Sequence, residues 1–226
     1  MGDMERTSRR LVDLSHPIAE GMVTYPGLPG PELSDHLTRA EAEARYGAGV
    51  TFHIGRISMV ANTGTYVDSP FHRYAEGADL AGLQLDRLVD LDGVVIDRSG
   101  SGWRDVVVDD LAAADVSGRA VLIRTGWDRH WGSDAYGTDA PFVSRAAAQW
   151  LVDQRVALVG IDSVNIDDTA DLSRPAHSLL LGANTPVVEH LRGLEQLPRD
   201  GFRFHAAPAP IQRFGTFPVR AYAVIG

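Results

Sequence analysis

Asn62-Thr63-Gly64-Thr65-Tyr66-Val67-Asp68-Ser69-Pro70-Phe71-His72 is the stretch that decides how this chain folds. In an extended backbone, alternate side chains point to opposite faces, so Asn62, Gly64, Tyr66 and Asp68 share one side and Val67 faces a core. Pro70 has no amide hydrogen to donate and ends the strand, which turns His72 back toward the same space. One short segment thus brings an amide, a phenol, a carboxylate and an imidazole to a single pocket. Taken alone, Asp68 could equally cap a hairpin turn with His72 on the surface. A second cluster tips the balance: His177 lies on a short helical run, Ala176 to Leu181, and Glu189 follows the tight loop Gly182-Ala183-Asn184. Thr185-Pro186 is a start signal for a further helix, with a capping hydroxyl and proline at the first helical position. That places Glu189 in the opening turn, where it could simply favour the positive helix end.

Around these clusters the chain reads as globular. Its 226 residues are 44% hydrophobic and 23% charged, which suits one large domain and argues against disorder. We expect a frayed tail over residues 1–10 and a single domain over 11–226. With 30 acidic against 21 basic residues and a net charge of −9, the surface repels phosphate backbones, so nucleic acid is not an expected partner. No apolar run is long enough to span a bilayer and the first residues lack an apolar leader, so the expectation is a cytoplasmic protein that does not enter the membrane. There is no cysteine. Thiolate chemistry is thereby excluded, and any metal must be held by His, Asp, Glu or water.

Strand signals fall at Leu11 to Leu14, Phe52 to Ala61, Gly93 to Asp97, Ala120 to Thr125, Val156 to Ile161, Phe202 to Ile211 and Pro218 to Ile225. A loop punctuated by Pro17, Gly21, Pro26, Gly27, Pro29, Gly30 and Pro31 follows the first of them. Helices are expected over Asp35 to Tyr46, from Asp109 or Asp110 to Ala114, from Ser144 as cap through Gln154, and after Thr185. Strands and helices mix without a regular βα repeat, and no glycine-rich phosphate loop is present. An α+β or barrel-like layered fold is therefore expected in preference to a Rossmann fold.

The chain resembles the cyclase family, the group of metal-dependent hydrolases that contains bacterial kynurenine formamidases and isatin hydrolases. The family signature is His-x-Gly-Thr-His-x-Asp-x-Pro-x-His, and this sequence keeps Gly64, Thr65, Asp68, Pro70 and His72 in register. The likeness continues through Asp13-Leu14-Ser15-His16-Pro17-Ile18, Tyr25-Pro26-Gly27, Leu122-Ile123-Arg124-Thr125-Gly126-Trp127, Gly160-Ile161-Asp162-Ser163 and Phe217-Pro218-Val219-Arg220-Ala221. His177 and Glu189 fall where the family has a downstream His and Glu. The resemblance implies a swivelling β/β/α single-domain fold with a mixed sheet, a homodimer or homotetramer, a zinc or manganese ion, and hydrolysis of an amide or lactam next to an aromatic system. It also implies that the last signature histidine, His72, carries protons.

Asn62 and Tyr66 stand where the resemblance places two ligand histidines. An amide oxygen is a poor zinc ligand and a neutral phenol a worse one, so the expected metal set contracts to Asp68, His177 and Glu189, holding one divalent ion. His72 and Tyr66 are then the expected catalytic residues, and Asn62 with Tyr66 the expected contacts to a small, aromatic substrate. Two other readings compete: a metal-independent cyclase, dehydratase or isomerase using Tyr66 and His72, and a binding homologue without activity. Other residues read more blandly. Trp103, Trp127 and Trp150 are expected in the core, Arg124 as an ion-pair donor, and Asp162 as a loop cap or an orienting group. His16, His36, His130 and His190 are expected on the surface.

Overall fold

The computed structural model describes residues 9–226. In chain order the strands are β1 (Arg10–Asp13), β2 (Glu32–Leu37), β3 (Ile54–Ser58), β4 (Tyr66–Asp68), β5 (Leu91–Asp97), β6 (Asp105–Val106), β7 (Ala120–Arg124), β8 (Phe142–Val143), β9 (Leu158–Ile161), β10 (Val187–Glu189), β11 (Asp200–His205), β12 (Thr216–Pro218) and β13 (Tyr222–Ile225). The α-helices are α1 (Arg39–Tyr46), α2 (Val108–Leu111), α3 (Arg145–Asp153) and α4 (Pro175–Gly182). Nine strands form one mixed sheet in the order β1-β13-β11-β5-β7-β9-β10-β4-β12. Its centre, β5-β7-β9-β10, is parallel, and the strands on both flanks are antiparallel. This is the mixed α+β architecture expected from the sequence.

Period-two alternation explains why the central strands read as unbroken apolar runs. Val94, Ile96, Val121, Ile123, Val159, Ile161 and Val187 pack against Ala147, Leu151, Ala176 and Leu180 on the helical side. Their neighbours Val95, Leu122, Leu158 and Val188 face the other way, against Leu14, Leu191, Phe204 and Ala223. With both faces covered, the middle residues of the central strands are apolar on either side.

Several boundaries differ from the sequence reading. The expected helix over Asp35 to Tyr46 is split. Asp35 to Leu37 belong to β2 and pair with β3, and α1 starts only after Thr38. Thr38 and Glu41 cap each other, with the Glu41 carboxylate accepting the Thr38 N–H at 2.8 Å and the Thr38 hydroxyl accepting the Glu41 N–H at 3.2 Å. At α2 the cap position is Val107, and the Asp110 carboxylate accepts its N–H at 2.8 Å. Ser144 caps α3 as expected, accepting the Ala147 N–H at 3.2 Å. The start signal at Thr185-Pro186 leads into strand β10 and not a helix. Val187 and Val188 are β-branched and sit between β9 and β4, where they bury both faces, and this pairing overrides the local signal. Arg10 already belongs to β1, and the rest of the expected tail through residue 8 lies outside the described residues. Trp103 is 74% exposed, so it is not a core residue. Among the described residues no helix is long and apolar enough to cross a membrane.

Candidate metal centre and active site

The site is built where β4 lies between β10 and β12. Tyr66 stands opposite Glu189 and Pro218, and Asp68 stands opposite Val187 and Thr216. Directly opposed residues share a face, so Tyr66, Asp68, Glu189 and Thr216 all project to the helical side. Val67 and Val188 are on the other side, in the core. The register inferred from alternation is the register found. α4 runs over this end of the sheet and supplies His177. A single turn of 3₁₀ helix, Pro70–His72, reverses the chain after β4 and brings His72 to the mouth of the site. That return is tight: a Cβ added to Gly215 would lie 2.4 Å from the His72 Cα.

The resulting distances are short. His177 Nε2 is 3.5 Å from Asp68 Oδ2 and 3.6 Å from Glu189 Oε1. His72 Nδ1 is 3.7 Å from Asp68 Oδ1. The Thr216 hydroxyl bonds to Asp68 Oδ1 and lies 2.8 Å from His72 Nδ1. A carboxylate has no proton to offer, so the hydroxyl donates to Asp68 and its oxygen accepts the His72 Nδ1–H. Asp167 fixes the second imidazole: His177 Nδ1 donates to Asp167 Oδ2 at 2.7 Å. The same carboxylate accepts the backbone N–H groups of Ala176 and His177 at the start of α4. Glu189 is held at both oxygens, by the Ile166 N–H at 2.6 Å and the Tyr66 hydroxyl at 2.7 Å.

Burial and neighbouring charge set the protonation of this group. Burial works against the charged form of His177, but the Asp167 hydrogen bond, Asp68 and Glu189 outweigh it and push the imidazole up to about 10. Burial raises Glu189 to about 7; the His177 charge opposes this and the Asp68 charge adds to it. Burial also acts to raise Asp68, yet the His72 charge and the His177 contacts hold it below its ordinary value. Tyr66 is pushed well above the ordinary phenol range by burial and by the Glu189 and Asp68 charges.

These residues suit a metal ion. With Nδ1–H given to Asp167, a neutral His177 turns the Nε2 lone pair toward two carboxylate oxygens. Such a cluster needs a cation, either a proton or a metal. Asp68 Oδ2 is buried and has no hydrogen-bond partner. Two ligands about 2.1 Å from one ion at a tetrahedral angle stand about 3.4 Å apart, close to the His177–Asp68 separation. Among the described residues, Asp68, His72 and His177 offer ligand atoms that all lie within 4.8 Å of one another. Glu189 stands outside that compact group, beside His177.

Asn62 and Tyr66 line a cavity of about 380 Å³ over the site, together with Tyr25, Leu28, Asn165 and Arg174. A larger cavity of about 780 Å³ lies beside β1, β11 and β13, but two of its arginines, Arg203 and Arg220, are already ion-paired to Asp90, Asp92 and Asp13. The imidazoles and buried carboxylates converge on the smaller cavity. Arg124 pairs with Asp97 at 2.7 Å, and Asp162 accepts the Thr125 and Gly126 N–H groups, in line with their expected structural roles. Two histidines expected on the surface are buried. His190 is fully enclosed and within 3.3 Å of the Tyr66 hydroxyl, and His16 stacks on Trp131 at 3.9 Å. Sequence reasoning missed Asp167 and Thr216, which orient the two imidazoles across 10 and 144 residues of chain. No local pattern signals contacts at such separations.

The Cyclase family model matches residues 12–168, well over half of the chain. The chain belongs to the Cyclase family. Over 206 residues it is 29% identical to kynurenine formamidase from Erythrobacter litoralis, covering 91% of this chain and 89% of that protein. Isatin hydrolase A from Ralstonia solanacearum superposes with a TM-score of 0.81 at 25% identity, over 96% of this chain and 92% of the other. A structure described as a potential metal-dependent hydrolase with cyclase activity matches with a TM-score of 0.77 at 27% identity, over 97% and 99% of the two chains. The Asp–His–His group of this cyclase-family protein, buried at Asp68 and His177 and open at His72, thus sits in a fold shared with hydrolases.

Proposed function

We propose that this cyclase-family protein is a metal-dependent hydrolase of a small amide, lactam or ester attached to an aromatic system. The observation that carries the reading is His177 Nε2, oriented by Asp167 toward the unpartnered Asp68 Oδ2 at 3.5 Å. The kynurenine formamidase and isatin hydrolase relatives support the substrate class. Asp68 and His177 are the two firm ligands, and compactness favours His72 as the third. A divalent ion there, zinc or manganese, would polarise the substrate carbonyl and acidify water. Asn62, half-buried at the cavity wall, donates from its amide to the substrate. Tyr66 gives its proton to Glu189, so its part is to hold that carboxylate in place beside His177, and a free phenolic acid for metal-independent chemistry is disfavoured. Glu189 accepts a proton from the attacking water. If His72 is not the third ligand, Glu189 takes that place and His72, at the open mouth, carries the proton to the leaving group. A homodimer or homotetramer in the cytoplasm completes the proposal.

The test is elemental analysis of protein purified without chelator, with hydrolysis of N-formyl-kynurenine and isatin assayed before and after metal addition. One equivalent of metal and metal-stimulated hydrolysis are expected. Absence of both sinks the reading. His72→Ala and Glu189→Ala then separate the roles: the variant that loses metal marks the third ligand, and the one that keeps metal but loses turnover marks the proton carrier.

A further inference from the structure

We infer that Tyr136 and His190 are positioning residues that fix the direction of the Tyr66 hydroxyl and keep its single proton on Glu189. The inference rests on the reading of Tyr66 and Glu189 as part of the hydrolytic site.

Besides the Asn62 amide on the cavity side, the Tyr66 oxygen has two polar neighbours in the interior, Glu189 Oε2 at 2.7 Å and His190 Nε2 at 3.3 Å. Tyr66, Glu189 and His190 are at most 2% exposed, so water does not mediate between them. A carboxylate can only accept, and it is the nearer and stronger acceptor, so it takes the phenolic proton. The Tyr66 oxygen then accepts from His190, which requires the proton of that ring to be on Nε2. His190 is fully enclosed, and its two ring nitrogens face the Tyr136 and Tyr66 hydroxyls and no carboxylate, so the ring is neutral and its one proton has a choice between two nitrogens. Nδ1 must then accept, and the Tyr136 hydroxyl lies 2.8 Å from it. Tyr136 has one strong use for its proton there, and the Trp127 indole N–H bonds to the Tyr136 carbonyl at 2.9 Å to hold the residue in place. The row therefore runs in one sense: Tyr136 donates to His190, His190 to Tyr66, and Tyr66 to Glu189.

The opposite tautomer would undo the arrangement. With the proton on Nδ1, the Nε2 lone pair would compete for the Tyr66 proton and leave Glu189 Oε2 facing a bare phenol oxygen in a buried site, where an unsatisfied charged acceptor is expensive. Tyr136, which does not line the cavity, thus decides how a residue in the cavity presents Glu189. Neither Tyr136 nor His190 is near Tyr66 in sequence, and a histidine at position 66 could not accept this pattern in the same way.

¹⁵N NMR of the imidazole nitrogens tests the assignment in the metal-free protein, independently of any substrate. His190 should be a single Nε2–H tautomer in the wild type and a mixture in Tyr136→Phe. A wild-type Nδ1–H tautomer, or a Tyr136→Phe spectrum with the tautomer unchanged, overturns the inference. The kinetic arm uses N-formyl-kynurenine. His190→Leu should lower kcat by about 10–100-fold with KM and metal content unchanged, the usual scale for groups that orient site residues. His190→Gln, whose amide can donate to Tyr66 and accept from Tyr136, should restore most of that loss. A Gln variant no better than Leu would count against the inference. Failure of the wild type to hydrolyse any amide would overturn the proposed function, yet the NMR result would still decide the direction of the hydrogen-bonded row.

Discussion

Asp167 shows how much one carboxylate outside the ligand set can control. It accepts the His177 Nδ1–H and two backbone N–H groups at the start of α4, so it sets the tautomer and the position of the imidazole together. Asp167→Asn weakens all three bonds and allows the amide to present a donor to Nδ1. We expect zinc affinity to fall by about 10–100-fold while the far-UV spectrum is preserved. Isothermal titration with zinc reads the change, and an unaltered Kd would remove Asp167 from this role. At this scale the sequence was informative about the residues that share one strand. Tyr66 and Asp68 lie on one face because the strand period is two, and nothing beyond that period was needed. Asp167, Thr216 and His190 were not legible. Each acts on a residue far away in the chain, and His190 read as a surface histidine because its sequence neighbours are polar while its spatial neighbours are Tyr66, Tyr136 and Trp131.

The strands and helices carry the same lesson in a different form. Central strands were legible because burial on both faces makes Val94 to Ile96, Val121 to Ile123 and Leu158 to Ile161 continuously apolar. The element bearing Glu189 was misread because Thr185-Pro186 is a sound local signal for a helix. The slot between β9 and β4 outweighs it, and that slot exists only in the folded sheet. The consequence for the site is favourable: on β10, Glu189 is directly opposite Tyr66, a register that a helix could not supply. The approach of β12 to the turn after β4 is equally demanding. A methyl group at position 215 would meet the His72 Cα at 2.4 Å and the His72 backbone nitrogen at 2.5 Å. Backbone atoms cannot rotate away, so Gly215→Ala must separate the Pro70–His72 turn from β12. We expect a loss of about 1–3 kcal/mol in denaturant unfolding, typical of overpacking, together with weaker metal binding because His72 moves. A variant with wild-type stability and metal affinity would show that this contact is looser than its geometry indicates.

For the whole molecule, the site is a store of unfavourable charge that a cation relieves, and stability should report this through pH. His177 titrates near 10 in the fold against 6.5 for a free imidazole, and Glu189 near 7 against 4.5 for a free carboxyl. A folded-state value above the unfolded one means that protonation favours folding. The contribution is fully present below the unfolded value and is lost as pH rises through the folded one. Glu189 therefore loses its contribution as pH rises toward and past 7, and His177 loses its own from about 6.5 up to about 10. Asp68 is shifted the other way, and its contribution disappears only in acid. Metal-free protein should accordingly melt at progressively lower temperature between pH 6 and pH 8.5. A divalent ion held there would replace the proton on His177 and need its ligands deprotonated, so its affinity should rise over the same window. At free metal about 100-fold above Kd, binding adds about 2.7 kcal/mol. For a chain of this length that corresponds to a rise of about 5–10 °C in Tm. Differential scanning calorimetry with EDTA and with manganese should thus show two curves that diverge as pH increases, the EDTA curve falling and the manganese curve holding. Parallel curves, or a gap that narrows toward pH 8.5, would mean that the ion does not compete with the His177 proton and that the cation site lies elsewhere.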